Sequence, residues 1–174
     1  MMQCTDCFQR VIVHLSKWNC SVCCDDIGEY WYHKSGKCYR CHTEKPYFEK
    51  IIAIGQIDQQ RHILAFAIRV LKGSGIFFNH KPYPEIAIPL GLLIARYIID
   101  HQAEFSSIDF MIPVPTHKDR IKEGKIDHIA EIAKIASTFI KFPVRYDILL
   151  KRKDIRLKNL KLDDRKKVLV LHSR

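Results

Sequence analysis

Residues 108–140 read IDFMIPVPTHKDRIKEGKIDHIAEIAKIASTFI, and the texture changes twice along that stretch. IDFMIPVP is a short apolar run bounded by prolines, which suits a central strand better than a helix of adequate length. THKDRIKEGKID is polar and basic and reads as a loop. From there Ile129, Ile132, Ala133, Ile135, Ala136 and Ile140 recur at helical spacing and describe an amphipathic helix that packs back on a sheet. Strand, polar loop and helix make a βα unit, and in open α/β sheets ligand sites form in the loops at the carboxyl ends of strands. The loop at 116–127 is therefore the first place to look for a site, whereas His117 and His128 read as ordinary polar or helix-start residues.

Upstream, EKIIAIGQID predicts a strand leading to a turn. Ile63, Leu64, Ala67, Ile68 and Leu71 then predict a helix from Gln59 to Lys72, stopped by Gly73 and Gly75. Pro82 and Pro84 mark a loop, after which EIAIPLGLLIARYIIDHQAEF reads as a long buried helix with Pro89 in or near its first turn. Downstream of Pro143, VRYDILLKRKD and the terminal KKVLVLHSR read as two further strands.

The first quarter of the chain is different. All seven cysteines, at positions 4, 7, 20, 23, 24, 38 and 41, fall there, and the remainder has none. Three CxxC pairs in a chain without a secretory start read as metal knuckles rather than as a disulfide framework. Zinc prefers four thiolate or imidazole ligands in a tetrahedron, and two CxxC turns separated by a hairpin supply them. The spacing permits two tetrads: Cys4 and Cys7 with Cys20 and Cys23 across twelve residues, or Cys20 and Cys23 with Cys38 and Cys41 across fourteen. The first is the favoured complete set, with Cys38 and Cys41 either a partial second site or the true partners. Cys24, His14, His33 or His42 could complete a second site. Between the knuckles FQRVIVHL and GEYWYHK read as strands, so residues 1–45 form a zinc ribbon. A closed four-cysteine site has no open coordination position, and so its zinc is structural.

Hydrophobic residues make up 47% of the 174 and charged residues 28%, which excludes a mostly disordered chain. No run of eighteen apolar residues occurs, and MMQCTDCFQR lacks the pattern of a signal peptide, so a cytoplasmic protein without membrane insertion is expected. Lys and Arg outnumber Asp and Glu by 29 to 19, a net charge of +10 that favours anionic partners. The excess concentrates from Lys141 to Arg174.

The order of these features, an N-terminal CxxC module, a helix ending in LKGSG, and then IPVPTHKDRIKEGKIDHIAEIAK, resembles the ComF family. The stretch Gly124, Lys125, Ile126, Asp127 and His128 matches that family's basic loop, and Leu160, Asp163, Asp164 and Arg165 match the pattern that ends its basic segment. The resemblance implies an α/β architecture: a small zinc ribbon at 1–45, then a type I phosphoribosyltransferase-like parallel-sheet domain over 46–174. It also implies phosphoribosyl pyrophosphate with Mg²⁺ as the ligand, and a base or amine as the acceptor if the protein is an enzyme. The loop after IPVP would then contact pyrophosphate through Lys118, Arg120, Lys122 and Lys125, with Gly124 allowing close backbone approach and Asp127 within the motif. The stretch Lys151, Arg152, Lys153, Arg156 and Lys158 takes the position of the family's mobile loop. The family's Thr-Thr-Gly-rich phosphate loop does not follow Asp164, so a segment is expected to be missing near 167–168. The alternative function is single-stranded DNA handling with a vestigial or regulatory phosphoribosyl site, with Tyr30, Trp31, Tyr32 and Tyr39 as candidate stacking residues, of which at least two are expected to form the ribbon core.

Overall fold

The computed structural model describes residues 17–44, 46, 48–55, 63–74 and 81–151. Within them the chain forms α1 (Gly28–Ser35), α2 (Tyr39–Thr43), α3 (Ile63–Leu71), a 3₁₀ turn at Pro84–Ile86, α4 (Ala87–Asp100), a 3₁₀ turn at Gln102–Phe105, α5 (Lys118–Lys122) and α6 (His128–Ile140). The described residues are thus mostly helical. Their β pairing is confined to two isolated bridges, Asn19 with Asp26 antiparallel and Met111 with Val144 parallel.

The amphipathic pattern at 128–140 becomes α6, and the Leu- and Ile-rich pattern of residues 87–100 becomes α4, with Pro89 in its first turn, where a missing N–H costs nothing. The two helices pack against each other at close range because Gly91 has no side chain. A Cβ there would stand 2.6 Å from the Ile135 Cβ and 2.9 Å from the Ile132 carbonyl oxygen. Leu71, at the end of α3, joins Ala87 and Leu90 in the core, with Ile68, Ile126 and Ile132 packed around them. The α3 helix covers the predicted Ile63–Leu71 portion, and Gln59 lies outside the described residues. Its stop is as expected: Gly73 takes φ +61°, and the amides of Gly73 and Ser74 return to the Val70 and Arg69 carbonyls.

The strands fare differently. In the run 108–115 only Met111 pairs: its amide donates to the Pro143 carbonyl at 2.9 Å, and its carbonyl accepts from the Arg145 amide at 2.9 Å. Residues 51–53 form no regular secondary structure, and Ile108, Phe110, Ile112 and Val114 keep at least a third of their surface exposed. Apolar alternation creates a strand only when a neighbour supplies the ladder, and among the described residues that neighbour is one residue long. A parallel sheet is therefore not what the described residues form. The terminal strand expected at 166–174 and the break expected near 167–168 lie outside them.

GEYWYHK, expected as a strand, is the helix α1. Gly36 explains part of this: at φ +64° its amide closes onto the Trp31 and Tyr32 carbonyls, a left-handed cap that ends a helix and would not end a strand. Trp18 supplies the rest, with Tyr32 and His33 rings at 5.3 and 5.2 Å from its own. The first expected strand, FQRVIVHL, lies outside the described residues. No helix among the described residues is long and apolar enough to cross a membrane.

Candidate metal centre and basic cleft

Two features carry chemistry. The first is a knot of sulfur: one Sγ atom from each of Cys20, Cys23, Cys38 and Cys41 lies within 4.8 Å of the others. Sulfurs around a tetrahedral zinc with bonds of about 2.3 Å stand about 3.8 Å apart, and the Cys23 and Cys38 sulfurs are 3.6 Å apart. The set fits a metal ion such as zinc. Each CxxC forms a tight turn: the Cys24 amide donates to the Cys20 carbonyl at 3.0 Å and the His42 amide to the Cys38 carbonyl at 3.0 Å. The Cys41 amide also reaches the Cys38 sulfur at 3.4 Å, so Cys38 caps α2 and joins the cluster at once.

Such amide-to-sulfur contacts favour thiolate. Burial opposes ionisation of Cys20, yet the amides of Cys23, Cys38 and Val22 outweigh it and bring its thiol down to about 6. Burial pushes the Cys23 and Cys41 thiols up. With Cys20 readily ionised beside Cys23 and Cys41, whose thiols burial holds protonated, the cluster needs a cation to hold four thiolates together.

The geometry thus gathers the second of the two tetrads that the spacing allows, with Cys38 and Cys41 as the partners of Cys20 and Cys23. Cys4 and Cys7, which the favoured tetrad required, lie outside the described residues. Cys24, at φ +61°, stands outside the group of four.

The second feature is a cleft of about 810 Å³ at the end of the 108–115 segment, beneath the start of α6. Ile68, Val114, Ile126 and Ile129 give it apolar walls, and Arg69, Lys72, Arg120, Lys125 and Lys151 bring cationic side chains to it. Its size is that of an ordinary small-molecule site, roughly 300–1,000 Å³. The loop's local structure explains how two of the cations meet. Gly124 at φ +79° turns the chain, its amide donating to the Ile121 carbonyl, and the Lys125 amide then donates to the Arg120 carbonyl at 3.1 Å. Residues five apart in sequence thereby become neighbours on one wall.

Among the residues singled out from sequence, Arg120 and Lys125 line the cleft, while Lys118 and Lys122 on α5 do not. Gly124 makes the turn rather than the wall. Asp127 uses both carboxylate oxygens internally: Oδ1 accepts from the Ala130 amide at 3.2 Å as the N-cap of α6, and Oδ2 accepts from the Thr116 amide at 3.0 Å. It therefore locks the loop to the helix and is a positioning residue in this arrangement. His117 is 95% buried, and its Nδ1 accepts from the Asp119 amide at 3.4 Å to cap α5. Arg152 lies outside the described residues, but its neighbour Lys151 reaches the cleft.

Sequence reasoning missed Arg69 on α3, Lys72 just beyond its end and His128 at the start of α6. The Lys-Gly turn after α3 reads as a helix stop, and only the fold shows that the stop delivers its last basic residues to the loop. No family model, curated protein or solved structure matches the chain.

Proposed function

We propose that the chain binds a phosphorylated small molecule of the phosphoribosyl pyrophosphate class in the basic cleft, and that a structural zinc ion closes the cysteine module. The observation that supports the first part most is the convergence of Arg69, Lys72, Arg120, Lys125 and Lys151 from separate segments around one apolar-walled cavity. A phosphate ester needs cations or N–H donors at one end and tolerates an apolar wall at the other, and charge-assisted contacts are worth about 1.5–3 kcal/mol each. The parallel bridge between Met111 and Val144, with the turn at Gly124 and helix α6 following the bridged segment, is what supports a phosphoribosyltransferase-like second domain. Mg²⁺ accompanies the pyrophosphate in this reading, and transfer to a base or amine is the reaction class. Reduced thiols suit a cytoplasmic setting.

A second reading has its own observation. Tyr30 and Tyr39 expose 69% and 76% of their surface, and the Lys34 ammonium stands 4.9 Å from the Trp31 ring centroid and 5.6 Å from that of Tyr30. Exposed aromatic rings beside cations suit stacking of single-stranded bases. Tyr32 stacks edge-on against Trp18 at 5.3 Å but is itself 40% exposed, so none of the four aromatics is buried, where at least two were expected to form a core.

Calorimetric titration with Mg²⁺ and phosphoribosyl pyrophosphate tests the first reading: binding is expected, with a loss of at least tenfold on joint substitution Arg120→Glu and Lys125→Glu. Equal affinity in the variant would remove these residues from the site. The same protein titrated with oligodeoxythymidylate at low and physiological salt tests the second, since binding through several phosphates weakens steeply over that range.

A further inference from the structure

His128 is the first residue of α6, and its imidazole lines the cleft together with Lys72 and Arg120. Burial depresses its basicity, the Lys72 ammonium depresses it further, and Asp127 and a hydrogen bond with the Ile126 backbone pull weakly the other way. The remaining charged side chains lining the cavity, Arg69, Arg120, Lys125 and Lys151, are cations, with the Lys125 ammonium paired to the Glu123 carboxylate at 3.2 Å. The free cleft thus holds a neutral imidazole among positive charges.

An anion entering that space reverses the balance. A phosphoryl group brings up to two negative charges beside the ring and offers an oxygen that accepts from the ring nitrogen not engaged with Ile126 once the imidazole is charged. Binding should then draw a proton onto His128, and by linkage the anion should bind more tightly as pH falls toward the free cleft's titration range. We infer that His128 is a proton-coupled ligand group of this cleft, which completes the anion site by taking up a proton as the phosphorylated ligand enters. The inference rests on the anion-binding reading of the cleft and goes beyond it by naming a contact and a pH dependence.

The sign follows from the free and bound states. The free protein carries His128 below the ordinary value of 6.5, and the bound protein carries it higher. Above both values the imidazole is neutral in both states and affinity does not depend on this group. Between them affinity rises by up to about tenfold for each pH unit of acidification. Below both the ring is charged throughout and the dependence ends.

The test is calorimetry of the full chain with phosphoribosyl pyrophosphate near pH 6.5, in buffers of differing ionisation enthalpy, for the native protein and His128→Gln. The ligand's own ionisation is common to both proteins, so the difference in proton uptake belongs to His128. The native protein is expected to take up a substantial fraction of one proton more than the variant. Equal uptake by two proteins that both bind would overturn the inference while leaving the cleft reading intact, and no binding by the native protein would sink the cleft reading and this inference with it. If His128→Gln loses binding altogether, the imidazole resonance of the native protein, assigned by its absence in the variant, decides. A titration midpoint that rises on ligand addition supports the inference, and an unmoved midpoint overturns it.

Discussion

The cysteine module and the helical body hold themselves together by opposite means. Neither α1 nor α2 has a buried residue, and in residues 17–44 Cys20 is the only hydrophobic residue that is fully buried. The body buries Leu71, Ala87, Leu90, Leu93 and Ala95 and fits α4 against α6 through the gap at Gly91. A module of this length buries too little apolar surface to be stable alone, so its cohesion must come from whatever joins four sulfurs, whereas the body depends on shape. The segment that follows the module links the two: the Ile51 amide donates to the Val22 carbonyl at 2.7 Å on one side, and Lys50 pairs with Glu104 of the body at 2.6 Å on the other. The ion pair is solvent-exposed on both sides and so adds little. The two regions should consequently fail separately.

Removing metal should produce the largest effect and only on one side. Structural zinc supplies about 10 kcal/mol or more to small modules at neutral pH, so a strong chelator, or Cys38→Ser with Cys41→Ser, should release the ion and dissolve α1 and α2. Metal analysis should read no ion per chain in that variant, while thermal unfolding of the helical body stays close to that of the native protein. Cys4→Ser with Cys7→Ser should leave the first equivalent of metal in place. A chain that keeps its metal in the first variant and loses it in the second would restore the tetrad that spacing alone favours.

That pair of outcomes marks where sequence reasoning stops. Both tetrads share Cys20 and Cys23 and differ only in whether the other knuckle lies twelve residues before or fourteen after, and zinc chemistry accepts either. Deciding needs the path of the intervening chain, which runs through α1, and α1 was hidden because Tyr30, Trp31 and Tyr32 are good strand formers whose helical state depends on Gly36 and Trp18. The helices at 63–71 and 128–140 were legible for the opposite reason: their apolar periodicity is long enough to have one solution. The cleft falls between these cases. Arg120 and Lys125 could be found because they follow an apolar run, but Arg69 and Lys72 reach it only through the packing of α3 on Ala87 and Leu90, which no local pattern encodes.

The next effect in size belongs to the body. Gly91→Ala improves helix propensity by about 0.5–1 kcal/mol, yet its methyl group would collide with Ile135 and with the backbone oxygen of Ile132. The Ile135 Cβ is fixed to its backbone and the Ile132 oxygen is itself backbone, so both can move only if α4 and α6 separate. Overpacking of this kind costs about 1–3 kcal/mol, so urea unfolding should show a net loss of stability with unchanged metal content. A stabilised variant would mean that the helices stand further apart than the structure shows.

The smallest effect tests how the body presents its cleft. Asp127→Ala removes the α6 cap and the bond from the Thr116 amide together, a loss of about 1 kcal/mol typical of a cap, whereas Asp127→Asn keeps an oxygen for the cap and should lose less. Because the carboxylate points at two backbone amides rather than into the cavity, the Asn variant should bind phosphoribosyl pyrophosphate nearly as the native protein does. The Ala variant, with the loop freed from the helix, should bind more weakly through poorer placement of Arg120 and Lys125. The two measurements separate a positioning role from direct contact: a binding defect in Asp127→Asn without loss of stability would place the carboxylate on the ligand.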